Sequence, residues 1–180
     1  MITRNPQRGV TLIELLITLA IAAILLGTAV PSFAEMQRNS VRRSAVNDYW
    51  HAIFLARNEA IKRNGVVVLC KSSDGQHCEP GADNWSGGWL VFHNLDRDEP
   101  AQRDSNEPVL HSYNANPNIL IRSNRNNFTF RPIAQGAVNG TITFCDNRGS
   151  EAARSIIISH TGRPRHSSRD ASNRPIACPI

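Results

Sequence analysis

Hydrophobic and polar positions divide the chain into three stretches with different periods. From Leu15 to Ala34 there are 20 consecutive residues without a formal charge, mostly Leu, Ile, Ala and Val. A helix of that length, at about 1.5 Å per residue, spans the roughly 30 Å hydrocarbon core of a bilayer. Further on, Val41, Ala45, Tyr49, Ala52, Ile53, Ala56 and Ala60 recur at helical spacing, with Arg42, Arg43, Asn47, Asp48, Arg57 and Lys62 on the other faces. This second stretch predicts an amphipathic helix that buries one side on something downstream. Pro31, lacking the amide that a helix interior needs, predicts a kink or local break between the two, and Asn64-Gly65 marks the helix end.

After Gly65 the pattern changes to short apolar runs between turn-rich segments. Val66–Cys70 and Trp89–His93 are the clearest, followed by Val109–Tyr113, Ile119–Arg122, Phe128–Arg131, Thr141–Cys145 and Ser155–Ser159. Short strands joined by such loops favour antiparallel pairing. The Gly-rich connection after Arg131 predicts that Phe128–Arg131 and Thr141–Cys145 form a hairpin. Trp85, Trp89 and Phe92, next to glycines and on strands, read as core or sheet-edge packing.

Composition adds a limit and an asymmetry. Of 180 residues, about 145 lie beyond the leader and apolar stretch, enough for one domain with one core. Residues 1–9 carry a charge of +2, residues 10–147 sum to −1, and residues 148–180, with six Arg and two acids, sum to +4. An anionic partner for the C-terminal end follows from that division. A run of arginines is commonly just a solvated face, and 18 of the 20 basic residues are Arg. Charge alone therefore does not decide the matter.

The four cysteines, Cys70, Cys78, Cys145 and Cys178, allow three pairings. An even count behind an export-type N-terminus favours Cys70–Cys78 and Cys145–Cys178, with loop-closure contributions of roughly 2–3 and about 4 kcal/mol. A zinc site from Cys70, His77, Cys78 and His93 is disfavoured, because no C-x-x-C pair is present and adjacent His77 and Cys78 make poor co-ligands. Asp96, Asp98, Glu99 and Asp104 lack the spacing and glycine of a calcium loop. The histidines are scattered and no Ser or Cys sits in a nucleophile motif, so neither catalytic residues nor a cofactor or metal is expected.

The N-terminus carries the most specific signal. A secretory signal peptide has an apolar core of about 7–15 residues with a small-residue cleavage site after it. Here the run is longer, and Gly9 and the basic residues Arg4 and Arg8 precede it. A simple anchor explains the length but leaves Glu14 unexplained, since an acid within an apolar helix costs a few kcal/mol and points to function. The order of basic leader, Gly9, and an apolar helix with an acid at its fifth residue resembles the signal of type IV prepilins and pseudopilins. The resemblance implies a peptidase cut between Gly9 and Val10, methylation of the new N-terminus, and pairing of Glu14 with a neighbouring subunit's amine during assembly. The family usually has Phe where this chain has Val10.

With NWSGGWLVFHNLDRDE, NFTFRP, GAVNGTITFCD and RSIIISHTGRPR in that order, the chain from Arg8 to about Arg165 resembles the FimT/GspH group of minor pilins and pseudopilins. The resemblance implies an α+β, type IV pilin-like fold, with a long N-terminal helix packed on antiparallel β-sheets. Residues 1–9 would be the leader, 10–34 the transmembrane and filament-core half of the helix, and 35–180 the head. It also implies other pilin subunits and a prepilin peptidase as partners. The subunit would be stored in the inner membrane with its head in the periplasm, then assembled into a pilus at the cell surface.

The segment Thr161–Arg169 is the candidate binding site. It follows a strand and reads as a loop in which Gly162 lets the backbone turn and Pro164 keeps the flanks extended. In an extended segment Arg163 and Arg165 project to the same side. Guanidinium forks match phosphate oxygens, Ser167 and Ser168 add neutral contacts, and Arg169, Arg154, Arg148 and Arg174 widen the patch. The Gly-Arg-x-Arg pattern at Gly162–Arg165 resembles that of FimT-type pilins that bind DNA in natural transformation, which implies double-stranded DNA as a partner. Four neutralised phosphates would give a log–log salt slope near roughly −3.6. The alternative is a structural subunit without DNA binding, either a pseudopilin of a type II secretion system or a pilus-priming pilin.

Overall fold

The structure, a computed structural model, describes residues 9–81, 83–114, 116–132 and 136–178; the leader up to Arg8 lies outside them. One helix, α1, covers Leu12–Arg63. The chain divides into two compact units, residues 1–39 and 40–180.

In the first unit, α1 opens on a capping box. The Thr11 amide and hydroxyl each donate to Glu14 Oε2 at 2.8 Å, and the Glu14 amide returns to Thr11 Oγ1 at 3.4 Å. Leu12, Ile13, Leu16, Ile17, Ile21 and Leu25 are all exposed, as expected of a surface meant for lipid or other helices. The break expected at Pro31 does not occur. One proline removes one ladder bond, and the intact turns on either side carry α1 through it.

The second unit holds nine strands among the described residues. They are β1 (Val66–Lys71), β2 (Asp83–Asn84), β3 (Gly88–Asn94), β4 (Val109–Asn114), β5 (Leu120–Ser123), β6 (Asn127–Phe130), β7 (Gly140–Cys145), β8 (Arg154–Ile158) and β9 (Pro164–Ser167). They form two sheets, in the orders β4-β3-β1-β6 and β2-β5-β7-β8-β9, with antiparallel pairing throughout. The amphipathic half of α1 supplies Ala45, Tyr49, Ala52, Ile53, Ala56 and Ala60 to a core completed by Val67, Leu69, Val91 and Phe128 of the first sheet and Ile121, Ile142, Phe144 and Ile156 of the second. Four alanines on the buried face let the helix backbone come close to the strands. β1 is buried along its whole length, because a second cluster of Val66, Val68, Leu90 and Phe92 covers its other face. Trp85, Trp89 and Phe92 are fully buried.

The expected hairpin between the Phe128 and Thr141 strands is not formed. β6 pairs with β1, whereas β7 lies between β5 and β8 in the other sheet. Among the described residues the connection meets β6 at the Phe130–Ala137 bridge and through the Val138 amide on the Thr129 carbonyl at 3.0 Å, and the chain then enters the other sheet. The crossing lets Phe128 and Phe130 on one sheet, and Ile142 and Phe144 on the other, face the same core.

Candidate nucleic-acid interface

The C-terminal segment is a strand where a loop was expected. β8 and β9 form a hairpin that pairs Ile157 with Arg165 and Ile158 with Pro164. Its turn is closed by the Gly162 amide on the Ser159 carbonyl at 2.9 Å and the Ser159 amide on the Arg163 carbonyl at 3.1 Å. Gly162 holds φ at 71°, a value that favours glycine. Pro164 is tolerated because it opens an edge strand.

The register decides which way the arginines face. His166 lies flat on the Trp50 ring of α1, with centroids 4.0 Å apart and planes at 12°, so that side of β9 is the helix side. Alternation then sends Arg165, and Arg163 just before the strand, to the outer face of the second sheet. Both are exposed, and among the described residues neither guanidinium has a hydrogen bond or an ion pair.

The remaining arginines differ from this pair. Arg148 Nη2 lies 2.5 Å from Asp146, whose carboxyl the Arg148 hydrogen bond holds below the usual carboxylate range. Asp146 also faces Arg42 at 3.7 Å, and Arg42 donates to the Ala152 carbonyl at 2.6 Å. Burial, together with the charges of Arg148 and Arg154, pulls the Arg42 pKa down. Arg148 and Arg42 thus tie α1 to the turn before β8. Arg154 donates to the Ala153 carbonyl at 2.7 Å. Arg174 pairs with Asp170 at 2.9 Å, and Asp170 is held below its ordinary pKa chiefly by the Arg174 amide. Arg169 remains exposed but uses Nη1 on the Asn173 carbonyl at 3.0 Å.

The patch is held from behind. Ser155 Oγ donates to the Arg169 carbonyl at 2.7 Å, fixing the chain as it leaves β9. Asp170 closes the next turn by accepting from the Ser172 and Arg174 amides at 2.8 Å each. The Cys145–Cys178 disulfide, with Cα atoms 5.9 Å apart, then pins the tail over the outer face, where Ile176 packs with Ala153 and Leu120. The Cys70–Cys78 disulfide closes a separate loop next to the second cluster. Between tail and sheet lies a polar cleft of about 360 Å³ floored by Arg122, Thr141 and Thr143. The sequence offered no sign of this cleft or of the Trp50–His166 stack, since each depends on pairings between distant segments.

An anchor-type helix with a capped acid near its start, continuing into a two-sheet α+β head, defines a pilin-like subunit. The chain belongs to the GspH family: the family model described as Type II transport protein GspH matches residues 45–162, and that of the prokaryotic N-terminal methylation motif matches residues 4–30. Two crystal structures of the type IV minor pilin FimU from Pseudomonas aeruginosa are similar in fold. They have TM-scores of 0.55 and 0.57 at 17% and 18% identity, and the matches cover 76% and 79% of this chain and 98% and 97% of theirs. No curated protein matches the chain.

Proposed function

We propose that this minor pilin or GspH-like subunit binds DNA without sequence preference through Arg163 and Arg165, and serves DNA uptake in natural transformation. The observation that carries the reading is the contrast within the arginines. Arg148 and Arg174 are neutralised by acids, whereas Arg163, just before an edge strand, and Arg165, within it, have no acid partner among the described residues. Two unpaired forks side by side suit adjacent phosphate oxygens and carry no base information. Arg169 adds a third contact. Gly162 shapes the turn, and Arg154, Arg148 and Arg174 act as a frame around the pair. On the same reading the chain is cut between Gly9 and Val10, waits in the inner membrane with its head in the periplasm, and enters a pilus with Glu14 against a neighbour's amine.

The test is a gel shift of duplex DNA with the wild-type protein and the Arg163→Gln/Arg165→Gln variant at several salt concentrations. Three phosphate contacts give a log–log slope near about −2.7, falling to about −0.9 in the variant. Equal binding by the two proteins removes the site assignment. The family description favours a second reading, a structural part in type II secretion, and a wild-type protein that ignores duplex DNA even in dilute buffer would leave a structural role in place of the duplex-binding one.

A further inference from the structure

We propose that Phe54, Trp50 and His166 form a stacking platform for the bases of single-stranded DNA at the edge of the second sheet. The proposal rests on the DNA-binding reading above and adds the form of DNA preferred. The three rings make a row: Trp50 is stacked on His166 at 4.0 Å and set against Phe54 at 5.4 Å with planes at 52°. Among the described residues no further ring lies against Phe54 or His166, and both residues are exposed at the ends of the row.

Exposure marks the row as unusual for this fold. Trp85 and Trp89 are fully buried, whereas Trp50 is only half-buried and His166 is exposed. Phe54 is 38% exposed, and it sits one turn along α1 from Trp50. Packing accounts for one side of Trp50, which touches the main core. It does not account for the aromatic surface left in solvent.

Charge selects the occupant. His166 is next to Arg165 in β9, and β9 is the edge of its sheet. A strand of nucleic acid lying along that edge meets rings on the helix side and the unpaired guanidiniums of Arg163 and Arg165 on the outer side. Bases within a duplex are already stacked on each other, whereas those of a single strand offer free π-faces to aromatic side chains. An apolar peptide would find the rings but leave the two cations unmatched.

The experiment uses the full-length protein in non-ionic detergent, titrated with a short oligothymidylate and with a duplex of equal length. Trp50 is the one tryptophan of the three that is not fully buried, so its emission reports stacking. Oligothymidylate is expected to quench that emission and to bind more tightly than the duplex. His166→Ala and, separately, Phe54→Ala should weaken oligothymidylate binding roughly 5- to 150-fold. Duplex binding should stay unchanged in Phe54→Ala, which leaves β9 and its arginines in place. Equal affinity for the two probes with unaltered emission overturns the platform while the arginine site stands, and so does equal weakening of both probes by both variants. If neither probe binds the wild-type protein, the arginine site falls and the platform falls with it.

Discussion

Gly162 illustrates how a single residue fixes the start of a strand. Its φ of 71° sets the β8–β9 turn, and a Cβ there would lie 3.2 Å from the Ala137 Cβ and 3.4 Å from Phe130 Cδ1. Gly162→Ala should therefore lower stability by about 1–2 kcal/mol in urea denaturation. Asp146 acts at the other end of the hairpin. Its side chain is 4% exposed, between the half-buried Arg148 and the buried Arg42, so Asp146→Asn should cost about 3 kcal/mol by removing the carboxylate that faces both cations. The pH dependence follows from its depressed pKa. A carboxyl that titrates lower when folded contributes its full stability above about pH 4, the ordinary Asp value, and loses it as pH falls through the folded-state value. Acid denaturation curves should show that limb in the wild type and a flatter one in Asp146→Asn. The helix end was legible at this scale, although its two residues divide the work. Asn64 takes the left-handed conformation at φ 49°, and the Gly65 amide closes on the Ala60 carbonyl at 3.1 Å.

Among the elements, legibility followed the strength of local pattern. α1 and the apolar strands β1, β3, β7 and β8 announce themselves, because burial on one or both faces leaves a run or a period in the residues. β2, with two exposed residues, and β9, opening on proline and holding Arg, His and Ser, carry no such pattern. Their pairing is imposed by neighbours: β8 offers an open edge, and Trp50 receives His166. The same cause explains the mistaken hairpin, since sequence proximity favours β6 with β7 while the shared core requires them in opposite sheets. The tail after β9 depends on its disulfide in place of strand pairing. Replacing Cys145 and Cys178 by Ser opens a loop of sequence separation 33 and should cost about 4 kcal/mol, against roughly 2–3 for Cys70 and Cys78 with separation 8. Urea melts of the two double variants measure that difference. Only the Cys145/Cys178 variant should also weaken DNA binding, because its loop contains Arg163, Arg165 and Arg169.

For the whole molecule, the division of charge and apolarity along the chain sets the order of events. The leader carries +2 of the formal +5, so its removal leaves +3, and the +4 of residues 148–180 then outweighs everything else. Before assembly, Glu14 sits in an apolar helix whose own Thr11 supplies two donors. That capping reduces the penalty of holding a carboxylate near lipid without cancelling its charge. On the reading proposed above, a neighbour's α-amine, created when the bond after Gly9 is cut, supplies the opposite charge that the capping box lacks. That reading couples cleavage and assembly through one carboxylate. In cells with an active prepilin peptidase, mass spectrometry of the protein should find a methylated Val10 at the N-terminus. Glu14→Ala should still be cut and still fractionate with the inner membrane, because the apolar length is untouched, yet be depleted from sheared filaments. Recovery of Glu14→Ala in filaments at wild-type levels would show that packing of the apolar helix surface, with no help from the acid, is enough to draw the subunit out of the membrane.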